Sequence, residues 1–153
     1  MITPFDEPFA LILIEDDEGH AALIRRNLQR VGVLNKITRL SSGTEAINFF
    51  FPPDGAPRPC FLTAIDKSVI VLDLNLPDID GFEILRRLKE NEATRMVPVV
   101  VLTTTDHPKD IDRCYALGCN VFMTKPVDYE AFSEAIRKLG LMLTIVRVPH
   151  IHD

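Results

Sequence analysis

The sequence has no cluster of Lys and Arg, although it carries 17 of them against 22 Asp and Glu, for a net charge of −5. Without a basic patch nothing stands ready to neutralise a phosphate backbone or an anionic bilayer, so neither nucleic acid nor a membrane surface is an expected partner. No apolar run approaches the roughly 20 residues that a membrane span requires. Residues 1–8 lack a positively charged stretch, which argues against a signal peptide. Cysteine is scarce: Cys60, Cys114 and Cys119 are odd in number and show no metal-ligand spacing. That usage fits reduced thiols in a cytoplasmic protein. Glycine loops of the G-x-x-x-x-G-K-[ST] or G-x-G-x-x-G type are missing, so nucleotide binding has no support. No Ser, His and Asp set has a recognisable nucleophile spacing.

What is present is a rhythm. The 153 residues, 46 % of them apolar, suit one compact domain with a real core. The runs 10–14, 68–72 and 97–102 are continuously apolar, as parallel strands covered on both faces require. Pro98 sits at the start of the third run, where a missing N–H is tolerated. Weaker strands are expected over 36–40 and 120–123. Amphipathic helices fall between them: one carries Leu23, Ile24, Leu28 and Val31 and stops at Gly32, another spans 44–50, and a third spans 81–91. A fourth carries Ile111, Cys114 and Tyr115 and ends at Gly118. The last is capped by Asp128 and striped by Phe132, Ala135, Ile136 and Leu139. This βαβαβαβαβα order predicts an α/β fold, a single parallel sheet with helices on both faces. Residues 51–59, with four prolines and a glycine, read as a surface loop. Residues 142–153 hold the β-prone run 143–148 and read as an extended arm, leaving 1–141 as the domain.

In such sheets the site lies beyond the carboxyl ends of the strands. Three strong runs end there in Glu15-Asp16-Asp17, in Asp73 and in Thr103. Glu15, Asp16 and Asp73 would bring three negative charges together, and like charges at close range repel. A hard divalent cation relieves this, and Mg²⁺ takes a few carboxylates plus a carbonyl, for which Asn75 is well placed. Asp17 reads instead as helix N-terminal charge. The Thr103 hydroxyl can hydrogen-bond a phosphoryl oxygen. Lys125 offers a compact, mobile charge for a carboxylate or phosphoryl oxygen. Its bond to Pro126 is a candidate cis peptide. His20 and His107 read as helix-start residues, and His150 and His152 as part of a tail.

Together these residues resemble the receiver domain of two-component response regulators. The segment 71–81, Val-Leu-Asp-Leu-Asn-Leu-Pro-Asp-Ile-Asp-Gly, is similar to that family's phospho-acceptor motif, and Glu15-Asp16 to its acidic pair. Thr103, 30 residues past Asp73, and Thr124-Lys125-Pro126, with its Lys 52 past it, fall where the family places them. The resemblance covers Leu11 to Gly140. It implies a flavodoxin-like (CheY-like) doubly wound sheet of five strands in the order 2-1-3-4-5. It also implies Asp73 as nucleophile towards a kinase phosphohistidine, and Mg²⁺ held by Glu15, Asp16, Asp73 and the Asn75 carbonyl. Thr103 and Lys125 would hold phosphoryl oxygens, and Phe122 would be the aromatic switch. Thr104 departs from the small Ala common after the Thr, which puts the autodephosphorylation rate in question.

The proline-rich insertion at 51–66, the Asp-Leu-Asn-Leu-Pro wording, the Val-Val-Val-Leu-Thr-Thr strand and the arm ending in Val-Pro resemble regulators paired with phytochrome-type histidine kinases. That narrower resemblance implies a homodimer through the fourth helix, fifth strand and fifth helix. With the receiver filling the chain, output is expected through protein–protein contact or phosphorelay. Two alternatives stand beside the phospho-switch. A Mg²⁺-dependent phosphohydrolase with an Asp nucleophile would want a second Asp at position 75, where Asn75 stands. A non-phosphorylated dimeric scaffold would need no intact site.

Overall fold

The computed structural model describes residues 9–32, 34–53 and 68–145. The three strongly apolar runs become β1 (Phe9–Ile14), β3 (Ser68–Leu72) and β4 (Val99–Thr103), with β2 (Leu34–Leu40) and β5 (Val121–Thr124) beside them. They form one parallel sheet in the order β2-β1-β3-β4-β5. Every residue of β3 and β4 is buried, as helices on both faces demand. Pro98 stays just outside β4 and gives its carbonyl to the Ile70 N–H at 2.9 Å.

Local chemistry sets the helix ends. α1 (Glu18–Val31) starts at Asp17, whose carboxylate accepts the His20 N–H at 2.9 Å, and stops at Gly32 with φ 75°, a left-handed conformation that glycine adopts without a side-chain penalty. α2 (Gly43–Phe50) is capped by Ser42, and α3 (Gly81–Glu90) by Asp80. α4 (Pro108–Leu117) begins at His107, whose Nδ1 accepts the Lys109 N–H at 3.2 Å. The helix-start role expected for His107 is therefore the one observed. α5 (Tyr129–Ile145) is anchored by Asp128, which accepts the Ala131 N–H at 2.9 Å.

Two cores result, one on each face of the sheet. Ile24, Leu28, Phe132, Ile136, Leu139 and Leu143 from α1 and α5 close one face over Leu11, Leu13, Val69 and Val71. Phe50, Ile84, Leu85, Leu88 and Cys114 from α2, α3 and α4 close the other over Ile12, Ile14, Ile70 and Val101. Each fully buried Leu or Ile stabilises the fold by about 1.5–3 kcal/mol relative to exposure.

Two expectations are corrected. The chain from Met142 to Ile145 is not an extended arm; α5 runs through it. Leu143 stands four residues after Leu139, continues the buried stripe and is 3 % exposed, so burial overrides β-propensity there. The rest of the proposed arm, with His150 and His152, lies outside the described residues, as do Cys60 and most of the 51–66 insertion. The Lys125–Pro126 peptide is trans: there is no cis bond among the described residues. On the fourth helix only Cys114 of the expected face is buried, and Tyr115 is half exposed.

Candidate functional site

The hydrogen-bond ladder continues one residue past the strands and aims the functional side chains. Glu15 N–H donates to the Leu40 carbonyl at 3.1 Å, Asp73 N–H to Ile14 at 3.0 Å and Lys125 N–H to Thr103 at 2.6 Å. The ends of β1, β3, β4 and β5 are thereby held level, and Glu15, Asp73, Thr103 and Lys125 meet at one rim. All four are buried, each 5 % exposed or less.

Lys125 is the hub. Its ammonium donates to Glu15 Oε1 at 2.5 Å and to Asp73 Oδ2 at 2.9 Å. A third neighbour is His20 Nδ1 at 3.2 Å. Burial works against the charge on Lys125, but the hydrogen bonds and charges of Glu15 and Asp73 outweigh it and raise its pKa. Glu15 is pushed up to about 7, because burial and the neighbouring Asp73 outweigh the help it receives from Lys125.

Carboxylate oxygens of Glu15, Asp16 and Asp73 lie within 4.8 Å of one another. With all three ionised, three carboxylates against one ammonium leave two negative charges, and every donor is a hard oxygen. The set fits a divalent cation of the Mg²⁺ or Mn²⁺ kind. Arg39 steadies the acidic pair from β2, donating to the Glu15 carbonyl at 3.0 Å and the Asp16 carbonyl at 3.1 Å.

The loop after β3 is built tightly. Asp73 Oδ1 accepts the Asn75 N–H at 3.0 Å, and the Asn75 side-chain amide donates to the Thr103 hydroxyl at 2.9 Å and to the Thr104 hydroxyl at 3.0 Å. Thr104 thus has a partner that an Ala would lack. Asp78 ties the same loop to the start of α2, accepting from Gly43 N–H at 2.8 Å and from the Thr44 N–H and hydroxyl at 2.7 and 2.6 Å. Those bonds hold its carboxyl well below the usual range. Gly81 packs so closely that a Cβ there would stand 2.4 Å from the Leu74 Cα. Phe122, on the edge strand, is half buried against the core, and its N–H donates to the Tyr115 hydroxyl at 3.1 Å.

Glu15, Asp16, Asp73, Asn75, Thr103 and Lys125, expected from the sequence, therefore gather at one rim, and Phe122 lies on β5 three residues before Lys125. The sequence marks His20 as a helix-start residue only. Its signal was its place in the first turn after the Asp17 cap, which turns it back towards the rim. The Asn75 amide and the Tyr115 hydroxyl were also missed, because each works through a partner far away in sequence.

Comparison with known proteins agrees. Residues 11–137 match the response regulator receiver domain family. The chain belongs to that family. A response regulator receiver domain from Rhodospirillum rubrum is 48 % identical with a TM-score of 0.84, covering 92 % of this chain and 96 % of that one. Response regulator Rcp1 of Synechocystis is 32 % identical over 77 % of each sequence, and its Mn(2+)-bound structure aligns at 29 % identity with a TM-score of 0.80 over 93 % of this chain and 99 % of that one. The phosphorylated cyanobacterial phytochrome response regulator RcpA aligns at 26 % identity with a TM-score of 0.80, over 93 % and 99 %. The family accepts phosphoryl groups on an Asp, and phytochrome-associated regulators are among this chain's homologues. No helix among the described residues is long and apolar enough to cross a membrane.

Proposed function

We propose that Asp73 is the phospho-acceptor and that a sensor histidine kinase of the phytochrome type supplies the phosphoryl group. The observation that carries this is the Lys125 ammonium, shared by Glu15 and Asp73 at the meeting of three strands. One Asp73 oxygen attacks phosphorus in line as the bond from phosphorus to the kinase imidazole breaks, and the imidazole leaves with that electron pair. Glu15, Asp16, Asp73 and the Asn75 carbonyl would hold Mg²⁺. When bound, Mg²⁺ neutralises charge on the transferring phosphoryl oxygens. Thr103 turns its hydroxyl to one phosphoryl oxygen, giving up the Asn75 amide, and Lys125 turns an N–H from Asp73 to another. Phe122 follows Thr103 inward, so the charge on Asp73 is read as packing on the face made by α4, β5 and α5. That face is proposed for homodimerisation and for a downstream protein partner, in the cytoplasm.

The phosphohydrolase reading loses support from Asn75. It cannot act as acid or base, and its amide is already given to Thr103 and Thr104. Turnover is limited to autodephosphorylation of Asp73.

The test is incubation with acetyl phosphate and Mg²⁺ followed by intact mass measurement. One phosphoryl group is expected on the wild type and none on Asp73→Asn. Equal labelling of both proteins sinks the assignment. Phosphotransfer from candidate kinases, with size-exclusion chromatography alongside, tests partner and dimer.

A further inference from the structure

The Lys125 ammonium has three N–H donors and three neighbours: Glu15 Oε1 at 2.5 Å, Asp73 Oδ2 at 2.9 Å and His20 Nδ1 at 3.2 Å. An ammonium has no lone pair, so the third contact is a hydrogen bond only with Nδ1 as acceptor and the imidazole proton on Nε2. The ring is held for that purpose. It stacks on Phe132 of α5 with centroids 5.3 Å apart and planes 26° apart, and its backbone N–H is fixed by Asp17. His20 reaches Lys125 across 105 residues of sequence.

We infer that His20 is a positioning residue for phosphoryl acceptance, its Nδ1 holding the Lys125 ammonium where it meets the incoming phosphoryl oxygen. The inference rests on Asp73 being the acceptor. Once Asp73 carries the phosphoryl group as an acyl phosphate its carboxylate charge is gone, and the Lys125 N–H that pointed to it turns to the phosphoryl group. Asp73 is consumed and Glu15 would be a metal ligand, which leaves His20 as the one of the three acceptors that neither phosphorylation nor the metal claims. The chemistry of the acceptor matters. A carboxylate at position 20 would add a fourth negative charge to the pocket and compete with the phosphoryl group for Lys125. A neutral imidazole nitrogen satisfies the third N–H without doing so. Removing it strands one donor of a buried ammonium and lets Lys125 lean on Glu15.

Three variants and one control separate the outcomes. His20→Phe keeps the stack on Phe132 and deletes the acceptor. His20→Asn puts an amide oxygen near the place of Nδ1 and deletes the stack. Phosphorylation by acetyl phosphate is followed at saturating Mg²⁺ and resolved into maximal rate and half-saturation, and Mg²⁺ affinity is measured separately by calorimetry. His20→Phe is expected to lower the maximal rate about tenfold, the scale of one lost hydrogen bond, with Mg²⁺ affinity within about twofold of wild type. His20→Asn is expected to recover to within about threefold of wild type, as the loss of a single acceptor predicts. If His20→Phe shows no cooperative thermal transition, His20→Met takes its place with the same expected loss. An acceptor-free variant charging within about twofold of wild type overturns the inference, as does His20→Asn charging as slowly as that variant. Asp73→Asn runs in parallel. Wild type that gains no Asp73-dependent phosphoryl group overturns the functional reading and this one together, whereas normal wild-type charging with an indifferent His20 overturns this one alone.

Discussion

Tyr115 lends its hydroxyl to the backbone of Phe122, accepting that residue's N–H at 3.1 Å across the open edge of the sheet. Among the described residues β5 has a partner only in β4, so its outward N–H groups there face solvent or a side chain. α4 brings the Tyr115 hydroxyl to one of them. Tyr115→Phe removes a single acceptor and keeps the ring. It is expected to lower stability by about 0.5–1.5 kcal/mol. The urea midpoint should fall with an unchanged slope, and labelling of Asp73 should persist.

Gly81 admits no side chain. A Cβ would meet the Leu74 Cα at 2.4 Å and the Asp73 carbonyl at 2.9 Å, all backbone atoms that cannot step aside cheaply. Gly81→Ala must push the loop that carries Asp73 and Asn75. A loss of about 1–3 kcal/mol is expected, typical of overpacking. Because the displaced atoms belong to the site, phosphorylation should slow as well. Thermal unfolding and labelling kinetics check the two effects.

Lys125→Ala leaves Glu15 and Asp73 buried without their cation. Breaking such a pair costs about 3–5 kcal/mol, lessened to the extent that one carboxylate takes up a proton. A divalent metal supplies the missing positive charge and binds only the folded pocket. The melting temperature of the variant should therefore fall in chelator and climb with added Mg²⁺ more than that of wild type. Equal gains in both proteins would refute the shared pocket.

Glu15 carries the pH dependence. Its pKa in the fold is raised to about 7 from an ordinary 4.5, chiefly by burial. Between those values the metal-free folded state holds a proton that the unfolded chain has released. The group's contribution to stability is thus full below the ordinary value and is lost as pH rises through 7. Metal binding runs the other way, since a cation needs the carboxylate ionised. Mg²⁺ affinity should rise from pH 6 to 8 and flatten above, by calorimetric titration. Glu15→Gln should remove the slope.

Much of this was legible in the residues. β1, β3 and β4 are apolar on both faces and end in Glu15, Asp73 and Thr103, so strand type, sheet class and the location of the chemistry follow from one pattern. Lys125 and Phe122 were singled out by their resemblance to the receiver pattern, Lys125 by its distance from Asp73 and Phe122 by standing three residues before Lys125. What escaped depends on tertiary partners. Leu143 joins a helix because α1 is there to cover it, which no local propensity reports. His20 reads as a polar residue in a first helical turn until β5 brings Lys125 beside it. Tyr115 reads as one more residue of an amphipathic face until the sheet edge lies under its hydroxyl.

The ion pair between Glu15 and Lys125 bridges 110 residues, joining the first strand to the turn after the last. During synthesis, then, the pocket cannot exist until β5 has left the ribosome, however well the earlier strands have paired. A nascent or prematurely terminated chain presents the aspartate but not the cation that completes its surroundings.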